Sequence, residues 1–417
     1  MKKTLLALFG TLLFFITAAS PMHAEAMLSS QPEPAWEAQA PYLLPADTYV
    51  RKVKNKLYVM DGYGVVSIMN DSTGDKIATV DPHTSTFKRA YAGFFGGNQV
   101  GNNGNLYLTT QYQDTKNHKL VRKLQAYDSA GKPLWTREFS RPLPVTFAEK
   151  VSDISGLYIA GDGTLLFYMS LEKYKFNVFR IDQQGKQLHK KEIKEYVYSY
   201  HNDLMTTLLN ESGNKSDFSN YKATLTVYDA KLNVQFRQQI AGQKFVGILP
   251  DKTLLFYKFN KATTDVIAKN SKGTVLWTKS LPGKVFIDNF EQNDSSFHSN
   301  VLITSVKNTL YVFNSKGLAA QKTLSLIHKR DNLAFTVNAD GNILVVDEKT
   351  ALPQNTQGQI IILNKDLSTL HKITLSSGSY LETANFYPGQ GAWYRWFEDL
   401  NNPDLQTTVI RKFILNP

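Results

Sequence analysis

Apolar residues recur along most of the chain in short segments, and no helical periodicity runs between them. The segments alternate apolar with polar residues or are continuously apolar, and they are rich in β-branched and aromatic side chains, which indicates β-strands. Clear examples before a turn are 120–127, 176–181, 223–228, 310–313 and 359–363, and clear examples after one are 133–139, 274–281 and 369–375. The pattern therefore predicts an all-β chain.

Seven of the turns share one composition, in which an Asp or Asn leads and a Gly usually follows three residues later. The leading side chain accepts backbone hydrogen bonds from residues just ahead, and Gly adopts the left-handed conformation that closes a short hairpin. The lead residues lie 41 to 58 residues apart and are Asn70, Asp128, Asp182, Asp229, Asn270, Asn314 and Asn364. This spacing is typical of a repeated unit of about 40–50 residues with variable loops.

A second kind of polar turn opens a strand upstream of the first kind, and it occurs eight times. Its positions are 55–56, 104–105, 162–163, 202–203, 251–252, 300, 340–341 and 389–391. Two hairpins per repeat give four antiparallel strands, and such a sheet buries its faces only against neighbouring sheets. The sequence predicts a single β-propeller of four-stranded antiparallel blades, eight in number, with seven blades and a solenoid of stacked hairpins as alternatives.

The last repeat does not hold all of its strands, because only segments 392–397 and 407–415 remain before residue 417. In closed propellers the other end of the chain commonly supplies the missing strand. The stretch 27–49, which contains Trp36, is the candidate for this role, although its prolines restrict the length of any strand. We therefore expect 27–49 to be an N-terminal extension that closes the last blade, and 50–417 to be the propeller.

The first 26 residues have the features of a secretory signal peptide. Lys2 and Lys3 precede an apolar run over 5–19, and Ala24 and Ala26 give a small-x-small cleavage pattern. Cleavage after Ala26 is the preferred prediction and cleavage after Ala24 the alternative. An uncleaved anchor is disfavoured because the run is shorter than the roughly 20 residues that span a bilayer. We expect a secreted or extracytoplasmic protein, with association to a cell wall as one variant, and no transmembrane span after signal removal.

The chain contains no cysteine, which excludes disulfides, thiolate metal sites, cysteine nucleophiles and a lipid-modified N-terminal cysteine. An exported chain without cysteine is typical of a bacterial source that lacks a disulfide-forming export route. The formal charge is +11, and removal of Lys2, Lys3 and Glu25 leaves +10. The excess is spread along the chain, so it fits either a basic soluble protein or a surface for an anionic polymer.

Two copies of the repeat carry a characteristic set of residues: Ala126, Asp128, Gly131 and Trp135 in one, and the corresponding Ala268, Asn270, Gly273 and Trp277 in the other. This set resembles the repeat of pyrroloquinoline-quinone-type (PQQ-like) β-propellers. The resemblance implies that Trp135 and Trp277 are buried structural residues that pack between neighbouring blades. The other copies have His189, Phe236, Gln321, His371 and a position near Ile77 or Ala78 in place of the tryptophan.

The resemblance does not bring the quinone enzymes' activity with it. Members of that family that are dehydrogenases share a pair of adjacent cysteines, which cannot exist here, and a calcium held by carboxylate and amide side chains. No loop of this chain has carboxylates at the alternate positions that calcium requires. The resemblance points instead to exported propellers that act as scaffolds or binding surfaces. We assign no catalytic, cofactor-binding or metal-binding residue, no cofactor and no defined binding residue.

The side chains that most often carry chemistry do not form a recognisable set. The histidines after the signal are His83, His118, His189, His201, His298, His328 and His371, and none has the short spacing of a metal pair. His189 and His371 are expected to pack between blades, whereas His201 and His298 precede strands and would lie near an end of the ring. The carboxylates Glu398, Asp399, Asp153 and Asp288 are candidates for glycoside chemistry only by elimination.

The segment 393–399 is the densest aromatic patch and includes Trp393, Tyr394 and Arg395. Core packing is its expected role, but it is also the preferred place to look for a ligand, because aromatics stack on sugars and Arg395 could pair with an anion. The segment 210–222 is expected to be a long polar hairpin loop. The segment 96–104 is a glycine-rich turn without the Lys-Ser/Thr of a phosphate loop.

The sequence favours a non-catalytic binding or scaffold protein whose partner is another protein or an anionic cell-surface polymer. Nucleic acid is disfavoured, and a monomer is expected. The alternative from another class is a polysaccharide hydrolase or lyase with its site at the central channel, which would require carboxylates to converge with an aromatic residue at one mouth. A quinone-dependent oxidoreductase is the least favoured reading.

Overall fold

The structure is a computed structural model. It describes residues 33–41, 49–60, 64–83, 98–143, 155–172, 175–201, 203–214, 220–283, 302–327, 333–337, 341–347, 358–375, 385–388, 391–398 and 407–414. These residues form eight antiparallel sheets and contain no helix. The sheets are the blades of an eight-bladed β-propeller, which confirms the predicted fold class and blade number.

Strand β1 (Trp36–Pro41) precedes the first blade in the chain. The strands of blades 1 to 4 follow in order. Blade 1 has β2 (Tyr49–Val53), β3 (Lys56–Met60), β4 (Val66–Asn70) and β5 (Lys76–Val80); blade 2 has β6 (Gln99–Val100), β7 (Leu106–Asp114), β8 (Lys119–Tyr127) and β9 (Pro133–Pro142); blade 3 has β10 (Ser155–Ile159), β11 (Leu165–Glu172), β12 (Lys175–Ile181) and β13 (Gln187–Ile193); blade 4 has β14 (Tyr196–His201), β15 (Leu204–Ser212), β16 (Lys222–Tyr228) and β17 (Val234–Ala241).

Blades 5 to 8 continue the same pattern. Blade 5 has β18 (Lys244–Ile248), β19 (Leu254–Phe259), β20 (Thr263–Lys269) and β21 (Val275–Pro282); blade 6 has, in the described residues, β22 (Leu302–Val306), β23 (Thr309–Asn314) and β24 (Gly317–Thr323); blade 7 has β25 (Ala334–Val337), β26 (Ile343–Asp347), β27 (Gly358–Leu363) and β28 (Thr369–Leu375); blade 8 has β29 (Asn385–Pro388), β30 (Ala392–Glu398) and β31 (Thr407–Ile414). Each blade pairs its strands in chain order, and β1 joins blade 8 beside β31.

The predicted Asp and Asn turns form as their side-chain chemistry requires. Asp128 Oδ1 accepts hydrogen bonds from the backbone N–H groups of Ala130 (2.8 Å) and Lys132 (2.9 Å), and Asn270 Oδ1 accepts from Lys272 and Thr274 (3.0 Å each). These bonds use backbone donors that the hairpin leaves without strand partners. The local chemistry of the turn therefore fixes where the third strand of a blade ends and the fourth begins.

The core lies between the blades. The second strand of blade 3 (β11) is buried over most of its length, whereas the fourth strand of blade 2 (β9) is mostly exposed. First strands of neighbouring blades contact one another, as β6 does with β10 and β14 with β18. The first strand of each blade is therefore innermost and the fourth lies on the outer edge. Blade 8 follows the same order from β29 to β1.

Two ends of the ring follow from the alternating strand directions. Turns between the first and second strands and between the third and fourth strands lie at one end, which we call the Asx end. Turns between the second and third strands lie at the other, which we call the hairpin end, together with the connections between blades. The functional loops of a rigid ring can only project from these two ends or from its outer edge.

Tryptophans on outer strands pack against the turn of the next blade. Trp135 of blade 2 donates its indole N–H to the carbonyl of Gln183 (2.8 Å), and Trp277 of blade 5 donates to Ser315 (2.9 Å). A Cβ atom on Gly185 would lie 2.7 Å from the Trp135 ring, and this residue has a φ of 82°. The expected packing between blades is confirmed, although both tryptophans are half-buried and not fully buried.

The identity of the outer-strand residue varies together with that of the turn residue of the next blade. We call the space between these two positions the docking slot. The turns that receive Trp135 and Trp277 carry glycine, but the corresponding turn residue of blade 4 is Leu232, with a φ of 63° and an exposure of 2%. Leu232 itself fills the slot between blades 3 and 4, since it packs in one core cluster with residues of both. His189, which stands opposite, is exposed on β13, so the prediction that it packs between blades is wrong.

The same exchange occurs between blades 6 and 7. Leu367 has a φ of 63° and is 3% exposed, while Gln321 at the outer-strand position is exposed. Between blades 1 and 2, Ala78 packs on Gly131, and its Cβ would lie 3.1 Å from a Cβ added there. Ile77 is exposed, so Ala78 occupies the docking position that the sequence left open.

Strand β1 closes the ring by pairing with β31 along its whole length, from Trp36 opposite Lys412 to Pro41 opposite Thr407. Trp36 also occupies the docking slot of blade 1. Its indole N–H donates to the carbonyl of Asp71 (3.0 Å), and a Cβ on Gly74 would lie 2.7 Å from the ring. The closing strand thus repeats the contact that Trp135 and Trp277 make elsewhere. The domain boundaries at residues 26 and 49 stay a prediction.

Candidate functional site

The aromatic segment of blade 8 is part of the core where its side chains are described. Trp393 and Tyr394 are both 0% exposed, and Trp393 stacks on Phe413 with ring centroids 4.2 Å apart. The side chains of 395–398 and residue 399 lie outside the described part of the chain, so Arg395 and the carboxylates Glu398 and Asp399 are not placed. Trp393 and Tyr394 have no surface to offer a ligand.

Tyr394 reaches a buried carboxylate at the closure of the ring. Asp71, in the turn after β4, accepts a hydrogen bond from the Tyr394 hydroxyl and pairs with Lys52 Nζ (2.9 Å) and Lys412 Nζ (3.1 Å). Its backbone carbonyl accepts from Lys412 Nζ (2.7 Å) and from Trp36. Asp71 therefore joins blade 1 to strands of blade 8, and we call this group the closure cluster.

The charge state of Asp71 follows from these contacts. Burial by itself raises the pKa of the Asp71 carboxyl, but the hydrogen bonds from Tyr394, Lys52 and Lys412 outweigh burial and lower it. The carboxylate stays ionised at neutral pH with its oxygens occupied by these donors. This is the chemistry of a structural contact and not of a proton donor or nucleophile.

A second polar cluster joins the Asx ends of blades 3 and 4. Arg180, whose side chain is 3% exposed, donates to both carboxylate oxygens of Asp162 (3.1 and 3.0 Å) and to the hydroxyl of Tyr200 (3.2 Å). Tyr200 donates to Asp203 (3.2 Å), and Asp203 accepts the backbone N–H of Gly161 (2.8 Å). Two carboxylates and a tyrosine therefore meet in the turns that follow the innermost strands of these two blades.

This cluster is where the polysaccharide-enzyme hypothesis can be examined. A glycosidase needs one carboxyl with a raised pKa to act as the general acid. Burial raises the pKa of Asp162, but the bonds from Thr164 and Arg180 outweigh it and lower the pKa. Asp162 is thus held as a carboxylate by Arg180 Nη2, which bonds both of its oxygens, and it does not fit the role of a general acid.

A third polar cluster, around a buried carboxylate, ties the connection between blades 3 and 4 to blade 4. Glu195 is 4% exposed and accepts hydrogen bonds from Arg237 Nη2 (2.6 Å), from the Tyr228 hydroxyl (3.3 Å) and from the Thr207 hydroxyl. Burial, followed by the charge of Glu195, raises the pKa of Tyr228 to about 12. The carboxylate of Glu195 is saturated by these donors, and the cluster holds the connection between blades 3 and 4 on blade 4.

The histidines that the structure describes lie apart from one another. His189 is exposed on β13, and His371 is half-buried on β28, where burial lowers its pKa. His83 Nδ1 lies 2.6 Å from Asp81, and His118 lies in the turn after β7 with a φ of 50°. His201 ends β14, while His298 and His328 lie outside the described residues.

Among the described residues, no group of three or more histidine, aspartate or glutamate side chains is arranged to hold a metal ion. Asp153 and Asp288 lie outside the described residues. A search of the described segments for a helix that could span a bilayer finds none.

The two loop candidates are described in part. Within 210–222, β15 continues to Ser212, β16 begins at Lys222, and Tyr221 donates to Glu211 Oε1 (2.7 Å), while 215–219 lie outside the described residues. Within 96–104, Asn98 accepts the backbone N–H of Thr109 (2.9 Å). These contacts shape the loops and hold no recognisable ligand set.

Sequence reasoning missed the three polar clusters. Asp71, Arg180 and Glu195 carry no local signature, because the partners of Asp71 lie up to 341 residues away and those of the other two lie 12 to 42 residues away. The only sequence signal was the position of Asp71 beside the turn residue Asn70.

Comparisons with known proteins give no family for the chain. No family model matches it, and no curated protein matches it. Similar solved structures include BamB from Moraxella catarrhalis, which is 12% identical over 92% of this chain and 98% of that chain, with a TM-score of 0.45. The WD40 domain of SCAP from fission yeast is 10% identical over 93% of this chain and 98% of that chain, with a TM-score of 0.47. Quinohemoprotein alcohol dehydrogenase from Comamonas testosteroni is 11% identical over 92% of this chain and 76% of that chain, with a TM-score of 0.43. At these identities and TM-scores, the similarities say nothing about what this chain binds or catalyses, and its kinship with PQQ-like repeats stays a resemblance.

Proposed function

We propose that this chain is an exported, non-catalytic binding or scaffold module that holds a partner on a rigid eight-bladed ring. The observation that carries the proposal is the use made of the charged groups in the three polar clusters. Asp71, Asp162 and Glu195 are each held by cationic or hydroxyl donors that connect blades or blade strands. Groups saturated in this way stabilise a platform, and they are not poised to react with a substrate.

A platform of this kind suits binding because its surface is positioned by a stiff scaffold. Outer strands such as β9, β13 and β21 are largely exposed, and hairpin turns project from both ends of the ring. Ordered surface segments on a closed ring bind a partner with little entropic cost of preorganisation. The proposed partner is a protein or an anionic surface polymer outside the cytoplasmic membrane.

Export is part of the proposal and has its own test. Expression of the full chain in a host with a general secretory route should deliver the protein outside the cytoplasm with its first 26 residues removed. N-terminal sequencing should begin at Met27, or at Glu25 if cleavage follows Ala24. Retention of the intact N-terminus in the membrane fraction would contradict the export proposal and favour an anchor.

Binding should be measured with the mature chain immobilised and exposed to the host's extracytoplasmic fraction. We expect a saturable partner that is retained by the folded protein and lost after thermal denaturation of the same resin. The purified partner should then form a complex of defined stoichiometry by size-exclusion chromatography with light scattering. The absence of any saturable partner, together with turnover of a substrate by the pure protein, would overturn the proposal.

The enzyme alternative is tested at the cluster between blades 3 and 4. We expect the unaltered protein to release no sugar from polysaccharides above background, and we expect the Asp162→Asn and Asp203→Asn variants to behave in the same way. If the unaltered protein releases reducing ends and either variant abolishes this release, then the ring is a hydrolase. If a variant loses both sugar release and thermal stability, then the loss of release reflects unfolding and does not support the enzyme hypothesis.

A further inference from the structure

Blades 5 and 6 carry an unusual concentration of lysine. The described residues 244–283 and 302–327 contain ten lysines and two aspartates, with no arginine and no glutamate, which is a net charge of +8. The lysines are Lys244, Lys252, Lys258, Lys261, Lys269, Lys272, Lys279, Lys307, Lys316 and Lys322. The connection 284–301 adds one lysine and three acidic residues, so 244–327 as a whole keeps a net charge of +6.

The neighbouring blade shows that this concentration is local. Blade 4 and its turns, over 203–214 and 220–241, carry three basic and three acidic residues and have no net charge. The basic residues there are Lys222, Lys231 and Arg237, and the acidic ones are Asp203, Glu211 and Asp229. The positive charge of the ring is therefore not uniform, and it rises at blade 5.

The two aspartates of blade 5 are already engaged. Asp265 is 7% exposed, accepts a hydrogen bond from Ser280 Oγ (2.6 Å) and pairs with Lys258 Nζ at 3.7 Å. Asp251 Oδ1 accepts the backbone N–H of Thr253 (3.1 Å) within its turn. In the described part of these blades, neither carboxylate forms an ion pair with Lys252, Lys261, Lys272, Lys279, Lys307 or Lys316, so the positive charge of these six lysines faces solvent.

Six exposed lysines form the outer surface of this region, and we call them the lysine sector. Lys252, Lys272 and Lys316 lie in turns at the Asx end, Lys261 and Lys307 lie in turns at the hairpin end, and Lys279 lies on the outer strand β21. The sector therefore covers both ends and the outer edge of two adjacent blades. Its charge extends over the rim of the ring and does not converge on one pocket.

The chemistry of the sector favours a ligand recognised by charge and not by shape. Lysine presents a compact, hydrated ammonium on a flexible stem, whereas bidentate recognition of a single phosphate or carboxylate is the property of arginine, which is absent here. The aromatic side chains beside these lysines, Phe259 and Trp277, are half-buried, and Trp277 is docked on the next blade. The described residues of the sector thus offer no platform on which nucleic-acid bases would stack.

We propose that the lysine sector binds a linear polyanion outside the cytoplasmic membrane, with its charge on regularly spaced phosphodiester or carboxylate groups. This inference rests on the proposed function and names the chemistry of its partner. A flexible chain can lie over the rim and meet successive ammonium groups, and each contact releases counterions into the solvent. Binding should therefore be strong at low salt and weaken steeply as salt is added.

The test uses the mature chain and a matched pair of sixfold variants. One variant replaces the sector: Lys252→Gln, Lys261→Gln, Lys272→Gln, Lys279→Gln, Lys307→Gln and Lys316→Gln. The control replaces six exposed lysines of blades 2 to 4, including one in the connection between blades 3 and 4, with the same change in net charge: Lys116→Gln, Lys119→Gln, Lys132→Gln, Lys186→Gln, Lys194→Gln and Lys231→Gln. Circular dichroism and thermal melting establish that both variants fold before binding is measured.

The probes are fluorescent poly(glycerol phosphate) and fluorescent polygalacturonate, titrated by anisotropy over a salt series. We expect one or both to bind, with a slope of log affinity against log salt of about −4 if each of six contacts releases roughly 0.7 counterions. The sector variant should lose roughly tenfold or more in affinity and flatten the slope, whereas the control variant should change affinity less than about twofold. Selective binding of one probe identifies the source of the charge.

Three outcomes would overturn the inference. The first is that neither polymer binds the mature chain. The second is that both variants lose affinity equally, which would show that only net charge matters. The third is that an oligonucleotide or vesicles of anionic lipid bind and the two polymers do not. In each case a saturable protein partner could still be found, and the proposed function would stand without this inference. Conversely, catalytic turnover would overturn the proposed function while leaving the salt-dependent binding of the sector measurable.

Discussion

Replacing Leu232 by glycine should weaken the contact between blades 3 and 4, and replacing His189 by tryptophan in the same chain should restore it. Leu232 is 2% exposed and packs among residues of both blades. Loss of a buried leucine side chain costs about 2–5 kcal/mol. Glycine also relieves the left-handed backbone at φ 63°, which costs a leucine about 1–2 kcal/mol. The net destabilisation should therefore be about 1–3 kcal/mol.

The restoring half of the experiment follows from the slot between blades 2 and 3. There an indole packs on Gly185 and donates to the turn carbonyl of Gln183 at 2.8 Å. His189→Trp alone should overpack against Leu232 and cost about 1–3 kcal/mol. With glycine at position 232 the indole should fit, so that the double variant is more stable than the sum of the single changes by about 1–2 kcal/mol.

The assay is a double-mutant cycle in urea, followed by far-ultraviolet circular dichroism on the unaltered chain, both single variants and the double variant. The slope of unfolding free energy against urea should stay constant, since the same surface is exposed in each case. A reverse cycle with Trp135→His and Gly185→Leu is the matched control and should show coupling of the same sign. Purely additive losses in both cycles would refute the idea that the two positions share one space.

Further predictions concern the closure cluster, the closing strand and the cluster around Arg180. Burial raises the pKa of Asp71, but its hydrogen bonds lower that pKa by more, so the ionised carboxylate contributes stability above about pH 4 and this stability is lost as pH falls through the lowered pKa. Asp71→Asn should therefore cost about 3–5 kcal/mol of stability at pH 7 and flatten the fall in melting temperature below pH 4. An unchanged fall in melting temperature at acid pH would contradict this. Trp36→Ala should cost about 3–5 kcal/mol and expose β31 to faster hydrogen exchange, with Trp277→Ala as the control that leaves β31 protected. Arg180→Met should raise the pKa of Asp162 toward its ordinary value in an NMR titration, and an unmoved titration would show that Arg180 does not hold that carboxylate.

Much of the fold could be predicted because turn chemistry is local. The Asp and Asn residues that lead the turns bond to the backbone N–H two residues ahead, and five of the seven also bond to the one four residues ahead, as Asp128 does with Ala130 and Lys132. The strand predicted at 369–375 coincides with β28, and that at 120–127 begins one residue inside β8. The excess of eight opening turns over seven closing turns matched a ring whose last blade borrows β1.

The packing between blades could not be read in the same way. His189 was assigned to packing because it occupies the tryptophan position of the repeat, but the space is filled from the opposite side by Leu232. That exchange depends on a leucine with positive φ, which composition does not reveal. The closure cluster was equally hidden, since Asp71, Tyr394 and Lys412 are hundreds of residues apart and meet only when the ring is complete.

The pairing of β1 with β31 has a consequence for the order in which the molecule is made. The first strand to leave a ribosome or a translocation channel has its hydrogen-bonding partner in the last blade, 374 residues later at the pair Glu37–Arg411. Until then Trp36 and the edge of β1 have no native strand beside them. Blades 1 to 7 can fold progressively as the chain emerges, but the ring closes only after blade 8 has been synthesised. Nascent chains halted before blade 8 should therefore be the form that chaperones and proteases recognise.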